Sequence, residues 1–480
     1  MRPYIIFRYV GTVLLVNALF LAISAAIALY HRQPDGLPLL YSAVITVLFG
    51  IFPMIYVPAP RHVSNGEGLV IVVASWLLSC LAGTLPYVLY GGEFSLVNAW
   101  FESVSGFTTT GASVVSDVEA LPYGLLFWRA STNWIGGIGI IVFVLAVLPV
   151  FGPASMLLSR SEISPLAMKN FQYRTQKTLK IVLTVYLSLT FLETALLLAC
   201  GLDAFDAVTH SFATVATGGF STRNTSISFF GNPAAEAVII LFMALSGIHF
   251  GLLYAAAGGK FRELRQSGTV GLYAGGLAAG ILLVAVCIHG GGLYPEWTGA
   301  FRYASFQVVS LGTSTGFATA DTAPWPGFAV LVMMYFTLQG ACSGSTSGGI
   351  KVERILIFWK SLGVKIKKLK HPKAVLALEM DHSFIPEEAA MTGLLFIVLY
   401  LGVVFLSTLT LAGMGVDLLS AFSGSAASMG NVGPGFGTLG SMASYGHLPA
   451  AGRLVLTIVM LLGRLEVFGL ILFLSARDWK

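Results

Sequence analysis

Hydrophobic positions in this chain gather into long runs broken by short polar stretches. Ile5–Tyr30, Gly68–Tyr90, Ile181–Cys200, Thr269–His289 and Ala389–Gly413 are such runs, and each reaches the roughly 20 residues that a helix needs to cross a hydrocarbon core. The pattern predicts ten full membrane spans, two of them within residues 1–60. Four shorter, semi-polar segments, 95–106, 203–213, 296–309 and 417–429, also read as helices, and each lies between two spans.

After each short segment comes a version of one polar stretch. The four are FTTTGAS (107–113), TVATGGFST (214–222), SLGTSTGFAT (310–319) and SMGNVGPGFG (428–437). Aligned on one glycine they superpose Gly111, Gly218, Gly316 and Gly433, at intervals of roughly 100 residues. The repeating unit is a span, a short pore helix, an extended filter strand and a second span. It divides the chain into a two-span N-terminal part, 1–60, and four repeats, 61–160, 161–266, 267–373 and 374–480.

Non-helical backbone at membrane depth is tolerated only where protein buries it or where it lines a water-filled path. Four units about a pseudo-fourfold axis would bring the four stretches around one pore. Their carbonyls and threonine hydroxyls could there replace the water shell of a dehydrated cation. Glycine permits the positive φ that turns a carbonyl inward, and the C-termini of the short helices aim partial negative charge at the axis. The expected fold is therefore an all-α integral membrane protein with four pseudo-symmetric pore repeats and two extra N-terminal spans.

Composition agrees with that class. Of the 480 residues, 56% are hydrophobic and 10% are charged, against about 25% charged in soluble domains. Basic residues crowd 152–180, 258–266 and 354–373, whereas Arg32, Arg223 and Arg302 fall in segments on the other side. The positive-inside rule then puts both termini in the cytoplasm, and the net charge of +5 is an orientation signal. These residues are juxtamembrane and not interleaved with stacking aromatics, which argues against nucleic acid as a partner. Arg2 and Arg8 precede a run longer than the 7–15-residue core of a secretory signal, so it reads as a retained span. Cys80, Cys200, Cys287 and Cys342 lie in apolar runs without ligand spacing and read as packing residues.

The fourfold repeat resembles the superfamily of potassium transporters that includes the bacterial Trk and Ktr subunits and the plant and fungal HKT and Trk proteins. The resemblance covers residues 67 to 476, and the two extra N-terminal spans are similar to the TrkH type. It implies a filter of Thr109, Thr110 and Gly111; Ala216, Thr217 and Gly218; Ser314, Thr315 and Gly316; and Asn431, Val432 and Gly433. A potassium ion would be held at Thr110, Thr217, Thr315 and Val432. Glycine at all four aligned positions implies potassium over sodium, although Asn431-Val-Gly433-Pro434-Gly435 lacks threonine and makes the filter asymmetric. The resemblance also implies a homodimer in the bacterial cytoplasmic membrane with a cytosolic, nucleotide-binding TrkA-type regulator. No organic cofactor is expected in this chain.

Two features are not repeated. Gly340-Ala-Cys-Ser-Gly-Ser-Thr-Ser-Gly-Gly349 follows the apolar run Phe328–Leu338 and cannot continue a stable helix, because each glycine costs about 1 kcal/mol against alanine. Helical pattern resumes at Lys351–Lys370. The plain alternative is a packed kink, and the resemblance implies a gate made of Gly340, Ser343, Gly344, Ser345, Thr346, Ser347, Gly348 and Gly349. Gly344 and Gly349 mimic a nucleotide P-loop, but Ile350 stands where its lysine is required. The second feature is Arg464, 11 residues beyond Arg453 and so roughly 16 Å deeper. An arginine there needs a polar cavity or a partner. The alternatives are a salt bridge to another helix or, as the resemblance implies, a charge facing the pore beneath the filter. Arg129 and Lys351 occupy comparable segments. Glu102, Asp203, Asp206 and Asp417 read as solvated ends and helix caps.

Other functions fit less well. A membrane-embedded enzyme needs converging acids, histidines or metal ligands, and the eight histidines are dispersed. A proton-coupled carrier needs mid-span carboxylates, for which Glu193 is the main candidate. Sodium or mixed-cation transport and cation-coupled potassium symport remain the alternatives within the same class.

Overall fold

The long apolar runs are helices, as their lengths require. The computed structural model describes residues 2–58, 65–147, 175–372, 376–380, 383–467 and 469. Helices α1 (Pro3–Tyr30) and α2 (Gly36–Tyr56) come first and pack on one another. Four groups with a common order come next. The first is α3 (Asn65–Tyr90), the short α4 (Leu96–Phe107) and α5 (Tyr123–Val147). The second is α6 (Thr175–Ala199), the short α7 (Ala204–Val215), α8 (Pro233–Ser246), α9 (Phe250–Ala257) and α10 (Phe261–Gln266). The third is α11 (Gly268–Gly290), the short α12 (Trp297–Gly312), α13 (Gly327–Gln339) and α14 (Val352–Lys370). A two-stranded antiparallel hairpin, β1 (Leu378–Met380) and β2 (Ser383–Ile385), pairs Leu378 with Ile385. The fourth group is α15 (Glu387–Gly413), the short α16 (Leu418–Met429) and α17 (Ala450–Arg464).

Local chemistry sets where the short helices begin. Ser95, Asp203 and Asp417 each accept a hydrogen bond from a backbone N–H in the first turn of α4, α7 and α16, whereas Glu296 ahead of α12 makes no side-chain cap. Packing then joins the groups in a cycle. The helix after each short helix lies on the short helix of the next group: α5 on α7, α8 on α12, α13 on α16, and α17 back on α4. Leu456, Met460 and Leu461 of α17 accordingly belong to the same buried core as Phe101 and Phe107 of α4.

The expectation of ten full spans is not met in that form. Among the described residues six helices are long and apolar enough to cross a membrane: α1, α2 and the first helix of each group. In three groups the second helix is interrupted. α8 and α9 meet at 109°, α13 stops at Gly340 with φ 64°, and α17 stops at Arg464, ahead of Glu466 and Val467 with φ 51° and 39°. A mid-span break is therefore not confined to the third group, and the last span is not one helix through Arg464. Backbone in the left-handed region cannot continue a right-handed helix, and that is what ends α13 and α17.

Candidate functional site

Each short helix ends in the same hydrogen-bonded turn. Thr109 N–H donates to Gly106 O (3.0 Å) and Thr110 N–H to Ser105 O (2.8 Å). The same two bonds recur from Thr217 and Gly218 (2.9 and 2.8 Å), Ser314 and Thr315 (3.0 and 2.8 Å), and Asn431 and Val432 (3.3 and 2.8 Å). This is a Schellman turn, with Thr109, Thr217, Ser314 and Asn431 at φ 51° to 57° where glycine is usual. A left-handed residue other than glycine costs roughly 1–2 kcal/mol, so the turn is upheld by its surroundings.

Two residues on, φ is positive again, at Gly111, Gly219, Gly316 and Gly433. The alignment on Gly218 is therefore displaced by one residue. Gly219 matches Gly111, and Gly218, not Thr217, matches Thr110, Thr315 and Val432. The double glycine in TVATGGFST made the two registers indistinguishable by spacing. Neighbouring segments touch in order. A Cβ on Gly111 would lie 2.2 Å from Gly218 O, on Gly219 2.1 Å from Thr315 O, on Gly316 2.0 Å from Val432 O, and on Gly433 2.4 Å from Thr110 O. The four segments thus close a ring, and all four glycines line one cavity of about 220 Å³.

Within the ring the carbonyl oxygens of Thr110, Gly218, Thr315 and Val432 accept no hydrogen bond from any described residue. Buried backbone carbonyls are rarely left so. The side chains at these positions are mostly tied up instead, although Thr109 Oγ1 has no partner among the described residues. Thr110 Oγ1 lies 2.8 Å from Thr108 Oγ1 and accepts from Asn431 Nδ2 (3.1 Å), Thr315 Oγ1 lies 2.8 Å from Thr313 Oγ1, and Thr217 Oγ1 donates to Ala216 O. The four main-chain carbonyls are thus free acceptors around the ring, an arrangement suited to a small cation stripped of water.

The 340–351 loop lies against this ring. Gly348 N–H donates to Ser314 Oγ (2.8 Å), and Thr346 Oγ1 donates to Val215 O at the end of α7 (3.0 Å). Its residues are buried or nearly so, and they are well bonded. Ser343 N–H and Oγ donate to Glu353 Oε2 (2.9 and 3.1 Å), and Lys351 Nζ donates to Ser347 O. Glu353 is an anchor that sequence reading passed over; it stands four residues past the glycine-rich stretch. Arg464 is buried, and its Nη1 donates to Thr346 O and its Nη2 to Gly136 O, both at 2.9 Å. Among the described residues it makes no ion pair, and Glu466 pairs with Arg354 instead (2.8 Å). The loop and the arginine are brought together.

The acids behave differently from the expectation of solvated ends. Glu102 is buried and pairs with Arg129 (2.8 Å), whose guanidinium also reaches Ser113 Oγ and Ser221 O. Asp206 pairs with Arg223 and Glu236 with Arg302, each at 2.7 Å. Arg129 therefore braces the two chains that leave the first and second ring segments and is not a free charge. Asp203 and Asp417 cap helices as expected, and the Ser420 N–H holds the Asp417 carboxyl below the usual carboxylate range. Glu193 is fully buried on α6, its oxygens outside hydrogen-bonding geometry. Gly136 and Gly137 serve close packing: a Cβ on Gly136 would meet Phe107 O at 1.9 Å, and one on Gly137 would meet Ala216. Of the basic run, Lys360 donates to Glu379 O and Lys365 pairs with Glu387, while Arg174 and Lys373 lie outside the described residues.

Comparison with known proteins adds a family. The family model described as TrkH, cation transport protein, matches residues 46–266 and 294–478. The Trk system potassium uptake protein TrkH of Escherichia coli (strain K12) is 32% identical over 479 residues, covering 98% of each chain. Its counterpart from Vibrio parahaemolyticus is 34% identical over 495 residues, covering 99% of each. The crystal structure of the potassium transporter TrkH from Vibrio parahaemolyticus superposes with a TM-score of 0.90 at 32% identity, covering 100% of both chains.

Proposed function

Since the chain belongs to the TrkH family of cation transport proteins, we propose that it takes up potassium through the ring of four segments, which acts as a selectivity filter. One observation carries this reading: four segments of different sequence share one turn and offer four buried carbonyls without donors around a closed ring. Each carbonyl then replaces part of the hydration shell of a passing ion. The filter residues are those at the ring and on either side of it: Thr109–Gly111, Thr217–Gly219, Ser314–Gly316 and Asn431–Gly433. The ion stands at Thr110, Gly218, Thr315 and Val432. The names of the relatives favour potassium, as does glycine at all four turning positions.

The 340–349 loop and Arg464 form the gate beneath that filter. The loop narrows the path, and the guanidinium raises the energy of a passing ion. Two unit charges about 5 Å apart repel by roughly 3 kcal/mol at an effective dielectric of 20. A cytosolic, nucleotide-binding partner of the TrkA type controls the gate from the basic end of α14. Among the described residues Lys367, Lys368 and Lys370 make no side-chain hydrogen bond or ion pair. The protein works as a homodimer in the bacterial cytoplasmic membrane with both termini inside.

Purified protein in liposomes under opposed K⁺ and Na⁺ gradients tests the filter reading. A reversal potential near the potassium equilibrium value is the expected result. One near zero would mean mixed-cation transport, and a shift with an imposed pH gradient would mean a coupled symporter.

A further inference from the structure

One ring position is unlike the other three. Thr110, Thr315 and Val432 carry side chains there, and Gly218 carries none. The space that a side chain would use is already filled: a Cβ on Gly218 would lie 2.5 Å from Cγ and 2.6 Å from Nδ2 of Asn133. Asn133 comes from α5 of the preceding group. It is fully buried, and neither its amide oxygen nor its amide nitrogen has a hydrogen-bond partner.

That combination is costly. A buried amide left unsatisfied forfeits hydrogen bonds that water would have supplied, and a leucine of similar size would fill the same space without that loss. At two of the other three ring positions the side chain is itself hydrogen-bonded. Thr110 is held by Thr108 and Asn431, and Thr315 by Thr313. A buried amide with both of its polar atoms unpartnered calls for an explanation other than packing. The one place where it lies is against the ring's glycine, whose carbonyl also accepts no bond.

We propose that Asn133 is a positioning residue for ion discrimination: its bulk fixes how far the second ring segment stands from the axis, and its amide supplies polarity behind the Gly218 peptide that the first and third segments draw from their own threonines. The inference rests on the filter reading above. In this view Gly218 and Asn133 are one unit divided between two segments of chain. Enlarging the glycine pushes the carbonyl inward, and shrinking the asparagine lets it retreat. Either change should alter discrimination more than assembly.

The test uses the full chain in liposomes, with the K⁺/Na⁺ permeability ratio read from reversal potentials and assembly checked by size-exclusion profile. Gly218→Ala should lower the ratio about tenfold, the order expected of an overpacked site. Adding Asn133→Ala should restore it to within about threefold, as coupled neighbours do. Asn133→Leu keeps the bulk and removes the amide, so it should lower the ratio while leaving the profile unchanged. Gly111→Ser, at the turning glycine of the first segment, is the control for the filter itself. The proposal is overturned if the double variant is no better than Gly218→Ala, or if Asn133→Ala and Asn133→Leu both keep the wild-type ratio while Gly111→Ser loses it. If Gly111→Ser also keeps the ratio, the filter reading falls and this inference with it. Should Gly218→Ala fail to assemble, the two asparagine variants alone decide.

Discussion

At the ring, four segments of different sequence take one backbone path. Thr109, Thr217, Ser314 and Asn431 all turn left-handed, and the next amide in each bonds to the carbonyl five residues back. In the helices beyond the ring, the same four groups diverge. α5 shows no break over its described length, α8 bends into α9, α13 gives way to a buried loop, and α17 stops at Arg464. Repetition persists where an ion would need equivalent ligands on every side. It is abandoned where, in the reading proposed above, a passage opens and closes, because a single loop and a single charge suffice to block one path. The bonds that join the two regions include Gly348 to Ser314, Thr346 to Val215 and Asn431 to Met460.

The comparison is broken most directly at the ring glycines. Gly111→Ser and Gly316→Ser each combine a left-handed residue with a Cβ close to 2 Å from the next segment's carbonyl. Strain of a few kcal/mol should lower the K⁺/Na⁺ permeability ratio by about a hundredfold. Gly219→Ser should do the same if Gly219 is the true counterpart. Unchanged reversal potentials in all three variants would remove these glycines from the filter.

The gate should respond less and in the opposite sense. Arg464→Ala, or removal of Ser345–Gly348, should raise basal flux without a regulator by about tenfold, since water in the passage screens part of the charge repulsion. Because Arg464 bonds to Thr346 itself, the combined variant should fall short of the product of the two effects. Full multiplicativity in single-channel or tracer-flux measurements would separate the loop from the arginine. A smaller effect, about threefold, is expected from Glu466→Gln, which weakens the Arg354 pair joining the start of α14 to the turn after Arg464. If flux in that variant is unchanged while Arg464→Ala remains leaky, the pair contributes to structure only.

Much of this was legible in the sequence for a physical reason. Spans and short helices are set by local hydropathy, so Leu418–Met429 falls where 417–429 was expected and Val352–Lys370 where Lys351–Lys370 was. The ring segments stood out because threonine and glycine are costly in an apolar helix. What was lost depends on partners far along the chain. Glu102 and Asp206 look like surface acids until Arg129 and Arg223 are folded onto them. The 378–385 hairpin has three-residue strands, too short to show alternation. The register of the second ring segment could not be read because Gly218 and Gly219 are chemically identical, and only φ tells them apart. The breaks at α9 and Arg464 carry weak signals, Gly247 and Gly463, among many glycines in apolar helices.

The smallest expected effect sharpens the comparison from the other end of the short helices. Their C-termini are uniform, but their N-termini are not: α16 is capped by Asp417, and α12 has no side-chain cap. If the repeat is kept only where it serves the ion, these caps should matter for stability and not for selectivity. Asp417→Ala should cost about 1 kcal/mol, whereas Asp417→Asn, which still accepts the Ser420 N–H, should cost a few tenths. The pH dependence has a definite sign. The folded state holds the Asp417 carboxyl below its ordinary value, so its contribution is complete above about pH 4 and is lost as pH falls through the folded value. The stability gap between wild type and Asp417→Ala, measured by thermal unfolding in detergent, should be level from neutral pH down to that point and close below it. The gap between the asparagine and alanine variants, neither of which titrates at this position, should stay level throughout. A gap to wild type that is independent of pH in both variants, or a shifted K⁺/Na⁺ ratio in either, would tie this helix end to something other than the cap.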